Sequence, residues 1–350
     1  MASKYWLGRY LAIKKAQLSK AKRYEDDYRK RMAETQKAIE AEMDSWIARY
    51  AKEDGTLDPL EAKKLLRGKD LKEWKYTLAE WEAMAKEGGY EKEMNLEYYK
   101  SRVSRLKELE GQLAIIMTKP TRKEMTAFED MLTNTHKETY LKTIFTRQMQ
   151  TSSISKAFNR LDPNTVQALV RNGWQGSNFS ERIWQNSTQK LPKLLTESLF
   201  SGMVLGQSKD EIQQTLKHRL KGFTDNDIHR LVITESAYIT EQATDLAYDE
   251  TGVDKIEWIA ALEIHTCDTP IEVGGKTYKG CRGLDGQVFT RSRKLLLPPA
   301  HPFCRCTTAP WDEILDEIEF SRWARDPETG ESVDTTATTY KEWEKMVGVQ

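Results

Sequence analysis

Four cysteines and one histidine are the residues of this chain whose types and spacing could do chemistry. Cys267, Cys281, Cys304 and Cys306 fall within forty residues, and the rest of the 350-residue sequence has no cysteine. His301 stands in a Pro-Pro-Ala-His-Pro turn just before Cys304. Four soft donors gathered by turns suit a tetrahedral zinc ion, with Cys267, Cys281, Cys304 and Cys306 as ligands and His301 as an alternative. A Cys-Xaa-Cys pair occurs in zinc sites, but the Cys-Xaa-Xaa-Cys knuckle is missing. Two alternatives stay open: a pair of disulfides, or small thiols packing a β core. A nucleophilic cysteine would need a base and an orienting group. His265 and His301 are at hand, yet nothing marks one thiol as special, so no catalytic residue is assigned. The chain has no phosphate-cradling glycine loop and no nucleotide fingerprint.

The elements that must position these residues are mostly helical. Residues 1 to about 50 lack proline and have Gly8 as their only glycine. Tyr5, Trp6, Tyr10, Ile13 and Leu18 form a broken apolar stripe at helical spacing. Asp54 to Pro59 is a break, with Asp58 placed to cap a helix that has Pro59 at its first position. Trp74 and Trp81 then share one helical face, and Gly88-Gly89 breaks the pattern again. A helix over Leu96 to about Met117 is expected to end before Lys119-Pro120. Another runs through Phe128, Met131, Leu132, Tyr140, Ile144 and Phe145. Helix starts follow at Asp162-Pro163, at a Ser180 cap, and at Ser208, whose spacing to Glu211 is that of a capping box.

After Thr224 and Asp225, Ile228, Leu231, Val232, Ile239, Ala243 and Leu246 make one apolar stripe with Glu235 in its middle. A carboxylate there must be paired, hydrogen-bonded or protonated. The expected partner is Arg305, with Arg282 as the alternative; a catalytic or metal-binding acid is the competing reading. Beyond residue 252 the period becomes two. Ile256, Trp258, Ala260, Leu262 and Ile264 predict a strand, Ile271 to Tyr278 a hairpin, and Leu284 to Phe289 a turn into a strand. An acidic helix with Ile314, Leu315 and Ile318, a loop over 326–339, and an amphipathic end with Tyr340 and Trp343 complete the chain. The fold class is α+β: a mostly helical body, a long helical N-terminal region and a small Cys-containing β-rich C-terminal module. The domains expected are 1–160, 161–250, 251–311 and an acidic tail, 312–350.

Lysine plus arginine equals aspartate plus glutamate, at 54 each, so net charge identifies no partner; its distribution says more. Lys4, Arg9, Lys14, Lys15, Lys20, Lys22 and Arg23 crowd the first 24 residues without an acid, which suits either a solvated helix face or contact with DNA or a membrane surface. The last forty residues are strongly acidic. No window approaches the ~20 apolar residues of a membrane span, and no signal-peptide core is present. A soluble protein made inside the cell is expected.

The series Trp258 … Cys267 … Cys281-Arg-Gly-Leu-Asp-Gly-Gln-Val-Phe … Pro298-Pro-Ala-His301-Pro-Phe-Cys304-Arg305-Cys306-Thr307 resembles the C-terminal module of phage Mu F-like minor head proteins, the head morphogenesis proteins of tailed phages. Arg230 to Tyr238, with Thr234-Glu235, resembles that family's Thr-Glu helix. Trp174 to Trp184 and the Gly202 to Ser208 turn resemble its middle region. The likeness covers about residues 165–310; the first 160 residues match only in texture. Many relatives have their first two cysteines close together, whereas thirteen residues separate them here.

The resemblance implies a minor capsid protein inside the virion, assembled in the host cytoplasm. It would bind near the portal protein, contact packaged double-stranded DNA without sequence preference, and leave with that DNA on infection. Scaffold or major capsid protein would be a further partner for the acidic tail. The alternative is an enzyme, a metal-dependent nuclease or transferase-type effector, using Glu235, His301 and the Cys cluster.

Overall fold

The computed structural model describes residues 4–50, 96–152, 161–176, 178–204, 207–292, 295–311, 322–325, 331–335 and 340–347. The expectations at Asp58-Pro59, Trp74, Trp81, Gly88-Gly89 and the acidic helix of Ile314, Leu315 and Ile318 lie outside them. The architecture is the expected mostly helical α+β fold with a small antiparallel sheet near the C-terminus. No helix of the described residues is long and apolar enough to cross a membrane.

Two long helices dominate: α1, Lys4–Tyr50, and α2, Leu96–Gln150. The first needs no explanation beyond composition, being free of proline and rich in alanine and long charged side chains. The second runs straight through Pro120, where the sequence predicts an end. Proline removes one backbone hydrogen bond. Burial nevertheless continues at helical spacing on both sides of it, at Leu109, Leu113, Met117, Thr121 and Glu124. Packing of that stripe outweighs the lost bond.

The chain forms two compact units that cut across chain order. One comprises residues 1–25, 127–179 and 229–350; the other comprises 26–126 and 180–228. The second unit is helical. It contains α4, Phe179–Gln185, apart from its first residue, then a π-type turn, then α5, Leu191–Val204, and α6, Lys209–Gly222. Helix α4 begins at Phe179, one residue before the expected Ser180 cap. Helix α6 has the expected capping box, Ser208 accepting from Glu211 N–H and Glu211 reaching back to Ser208 N–H. Tyr28, Met32, Ile39, Met43 and Trp46 of α1 are buried in this unit, as are Leu195, Leu199, Ile212, Leu216 and Leu220. Arg31 makes a bidentate pair with Glu124 at 2.6 and 2.8 Å.

The first unit holds the start of α1, the end of α2, α3 (Pro163–Asn172), α7 (His229–Glu250) and the β module. Asp162 caps α3, as expected, accepting from Asn164 and Thr165 N–H. Instead of starting afresh after Asp225, α7 continues from a π-type turn over Phe223–Ile228. The sheet has the order β4-β1-β5, with β1 Lys255–Ile259, β4 Val288–Thr290 and β5 Thr307–Pro310, all antiparallel. The predicted hairpin is β2, Ile271–Val273, with β3, Lys276–Tyr278. A short helix, α8, Gly280–Leu284, carries Cys281. The expected loop over 326–339 contains a strand: β7, Ser332–Thr335, pairs with β6, Arg322–Arg325. The terminal amphipathic helix α9, Tyr340–Val347, buries Tyr340 and Trp343 against Leu262 and Ala324.

In this unit α1 and α2 run antiparallel, tied by Tyr10 to Gln150, by Lys20 to Glu138, and by the Tyr24 and Phe128 rings. His136 of α2 is fully buried, and neither ring nitrogen has a hydrogen-bond partner among the described residues. Burial lowers its pKa from 6.5 to about 4, so the ring is neutral in the folded protein at pH 7. The unfolded chain binds a proton that the folded chain refuses between these values. The group's contribution to stability is therefore complete above pH 6.5 and drains away as pH falls towards 4, by up to about 3 kcal/mol. His136→Leu is expected to remove this component of the acid slope without loss at pH 7, since no hydrogen bond is broken. Urea titrations at pH 7, 6, 5 and 4 would measure it.

Candidate metal centre

The β module brings the predicted ligands together from three places. Cys267 lies between β1 and β2, Cys281 is on α8, and His301, Cys304 and Cys306 are on the segment leading into β5. Cys281, Cys304 and Cys306 are buried, and Cys267 and His301 are partly so. They sit in the apolar core of the first unit, which includes Trp258, Leu284, Phe289 and, from α1, Leu7, Tyr10 and Leu11.

The cluster is two trios sharing Cys281: Cys267, Cys281 and His301, and Cys281, Cys304 and Cys306, with all donor atoms in each trio within 4.8 Å of one another. Cys281 Sγ stands 3.9 Å from Cys304 Sγ and 3.3 Å from His301 Nε2. A tetrahedral ion with metal–sulfur bonds of about 2.3 Å separates two sulfurs by about 3.8 Å, whereas a disulfide holds them at about 2.05 Å. All four thiols are free. His301 Nδ1 lies 2.7 Å from Pro302 O. That contact keeps a proton on Nδ1, so Nε2, which faces the sulfurs, becomes the ligating atom once it gives up its own proton.

Proton sharing within the cluster is extensive. The hydrogen bond with Cys281 and the neighbouring His301 pull Cys267 down to about 4. The same Cys281, with Cys306 and His301, holds Cys304 well below the usual thiol range. Cys281, between Cys267 and Cys304, is pushed up. Cys267 and Cys304 raise His301 to about 10. The shifts are uneven: Cys267 and Cys304 are eased towards thiolates, while Cys281, Cys306 and His301 hold their protons more tightly than usual, and the group could hold a metal ion that displaces those protons.

Local sequence explains why the donors converge. Gly280, at φ +58°, lets α8 begin directly against the Cys267 backbone. Cys281 N–H donates to Cys267 Sγ at 3.3 Å and Arg282 N–H to Cys267 O at 3.2 Å. The Arg282 guanidinium donates to Thr266 O and Ile264 O at 2.7 and 2.8 Å and lies over the Tyr340 ring. Arg282 therefore fastens the Cys267 loop and is not the partner of Glu235.

Nor is Arg305. Its guanidinium pairs with Glu263 at 2.6 and 2.8 Å. Flanked by two buried cysteines, Arg305 must project to the opposite side of an extended segment, and Glu263 just beyond β1 meets it there. Glu235, fully buried, accepts the Trp174 N–H at 3.0 Å. The described members of the seven basic residues have different surroundings. Lys14 is buried, pairing with Glu241 at 3.3 Å, and Lys20 pairs with Glu138. Arg9 contacts Tyr5 and lies over the Phe145 ring. Lys15, Lys22 and Arg23 are exposed; the Lys4 side chain is outside the described residues. His265, the other candidate base, is exposed and belongs to neither trio.

Sequence reasoning missed Lys14–Glu241, Glu263 and Gly280, and it met Thr234 and Trp174 only through the resemblance, with no contact assigned to either. Lys14 left a local signal: it occupies the face of α1 that buries Leu7, Tyr10, Leu11 and Ala21. Comparison with protein-family models, with curated proteins and with solved structures finds no match to this chain.

Proposed function

We propose that this chain is a structural component of a tailed-phage head, a minor capsid protein whose C-terminal module is locked by a zinc ion. The observation that supports the zinc lock is the convergence of five soft or borderline donors in the module's core, as two trios sharing Cys281, with Cys281 Sγ 3.9 Å from Cys304 Sγ. Cys267, Cys281, Cys304 and Cys306 would hold the ion, with His301 able to replace one thiolate; Cys281 belongs to every such set because both trios share it. A closed four-donor site of this kind contributes folding energy and leaves no open position for a substrate. The charged groups around it favour a structural part as well: Arg305 is neutralised by Glu263, and Arg291 by Asp245 and Asp249.

The head role rests on the resemblance of residues 165–310 to Mu F-like proteins. It brings the portal protein and packaged DNA as partners, with scaffold or major capsid protein opposite the acidic tail. DNA contact falls to Lys15, Lys22 and Arg23, the exposed basic residues of the N-terminal set among the described side chains. Three phosphate contacts give a slope of log affinity against log salt of about −3. Binding of plain duplex DNA is expected to show it, and Lys15→Glu, Lys22→Glu and Arg23→Glu together to abolish it. Particles of the encoding phage should contain the chain in few copies. Its absence from purified particles, or turnover of DNA by the pure protein, would overturn the head reading.

A further inference from the structure

The segment carrying His301, Cys304 and Cys306 is fastened to the helical elements of its unit at points that the ligand set does not explain. The Trp174 indole N–H donates to Pro299 O at 2.9 Å. The Trp174 backbone N–H donates to the buried Glu235 carboxylate at 3.0 Å. On the preceding residue of the same helix, the Thr234 hydroxyl accepts the Phe303 N–H at 3.1 Å while donating to Arg230 O at 2.7 Å. Thr234 is 2% exposed and Glu235 0%. Phe303 has φ +64° without being glycine, a conformation that persists where its surroundings hold it. The two fastened residues, Pro299 and Phe303, flank His301.

The geometry points to Trp174, Thr234 and Glu235 as an outer clamp that sets His301 and Cys304 against Cys281: positioning residues for the metal ion, none of them a ligand. The inference rests on the reading of the cluster as a metal site. Its physical basis is the cost of misplacement. Two of the ligands belong to a loop with no regular backbone pairing of its own, and each unfastened end would have to be ordered when the ion binds. Outer partners of this kind change metal affinity by about 10–100-fold when removed. The clamp also accounts for a carboxylate in an apolar stripe. Glu235 fixes the Trp174 turn, and Trp174 fixes the loop.

The test uses the full chain, with cobalt(II) as the probe, its ligand-field spectrum reporting the donor set and a competing chelator reporting affinity. Thr234→Val keeps the side-chain shape and removes the acceptor; Trp174→Phe keeps a ring and removes the donor. Each is expected to weaken cobalt binding about 10–100-fold and to shift the visible bands, with the far-ultraviolet dichroism unchanged. Thr234→Ser is expected to restore both. Cobalt affinity and bands within twofold of the parent in Thr234→Val and Trp174→Phe would overturn the clamp while leaving the metal reading intact. A parent chain that takes up neither cobalt nor zinc would overturn both.

Discussion

Gly280→Ala is expected to disable the C-terminal module. The new Cβ would lie 2.6 Å from Asp268 Cα and 2.7 Å from Cys267 C, and closer still to the Cys267 carbonyl oxygen. These are backbone atoms, so no side chain can swing away. An alanine at positive φ also carries about 1 kcal/mol of strain of its own. Together these effects are expected to cost about 3–5 kcal/mol, the range of severe core defects, and to separate Cys267 from Cys281. Gly252→Ala supplies the control. Gly252 has φ +65° with nothing within 4 Å of its added Cβ, so it should suffer the strain and nothing more. Thermal unfolding and metal content of the two variants, side by side, would check this. Equal midpoints for both would refute it.

Lys14→Met is the second large expectation. Lys14 and Glu241 are both buried, at 2% and 1% exposure, and the carboxylate also accepts the Thr307 and Thr308 hydroxyls. Burial pushes the Glu241 pKa up, opposed by Lys14 and the two threonines. Removing the cation leaves a desolvated acid at the joint between α7 and β5, which is expected to cost about 3–5 kcal/mol at pH 7. Adding Glu241→Gln removes the orphaned charge and keeps an acceptor for the threonines. The double variant should therefore regain most of the loss, with urea unfolding as the measurement. A single variant as stable as the parent would mean the pair contributes nothing.

The sequence made the general architecture legible because periodicity is local. The change from period 3.6 to period 2 after residue 252, the Gly274-Gly275 hairpin and the Ser208–Glu211 box all involve neighbours in the chain. What it could not supply were partners set by tertiary topology. Arg305 and Glu235 each need a counterpart, and the nearest opposite charges in the imagined fold were each other. The actual counterparts are Glu263, 42 residues away, and the backbone of Trp174, 61 away. Pro120 misled for a related reason: its local preference for a break is overcome by a buried stripe whose partners lie elsewhere. The basic N-terminal cluster looked uniform because charge counts do not distinguish Lys14, which faces inward, from Lys15, which faces solvent. The candidate donors themselves were found by residue type. Their fastening by Trp174, Thr234 and Arg282 was not, since hydrogen bonds to carbonyls and backbone amides leave no spacing rule to read.

If the cluster holds one ion, as proposed, zinc will stay with the chain through purification. Zinc content and free thiols of the full chain, purified under reducing conditions without a metal-affinity step, decide this. The expected result is about one zinc per chain, with thiols that react only after a chelator is added, and loss of the ion in Cys281→Ala. A metal-free protein whose four thiols react at once would contradict it.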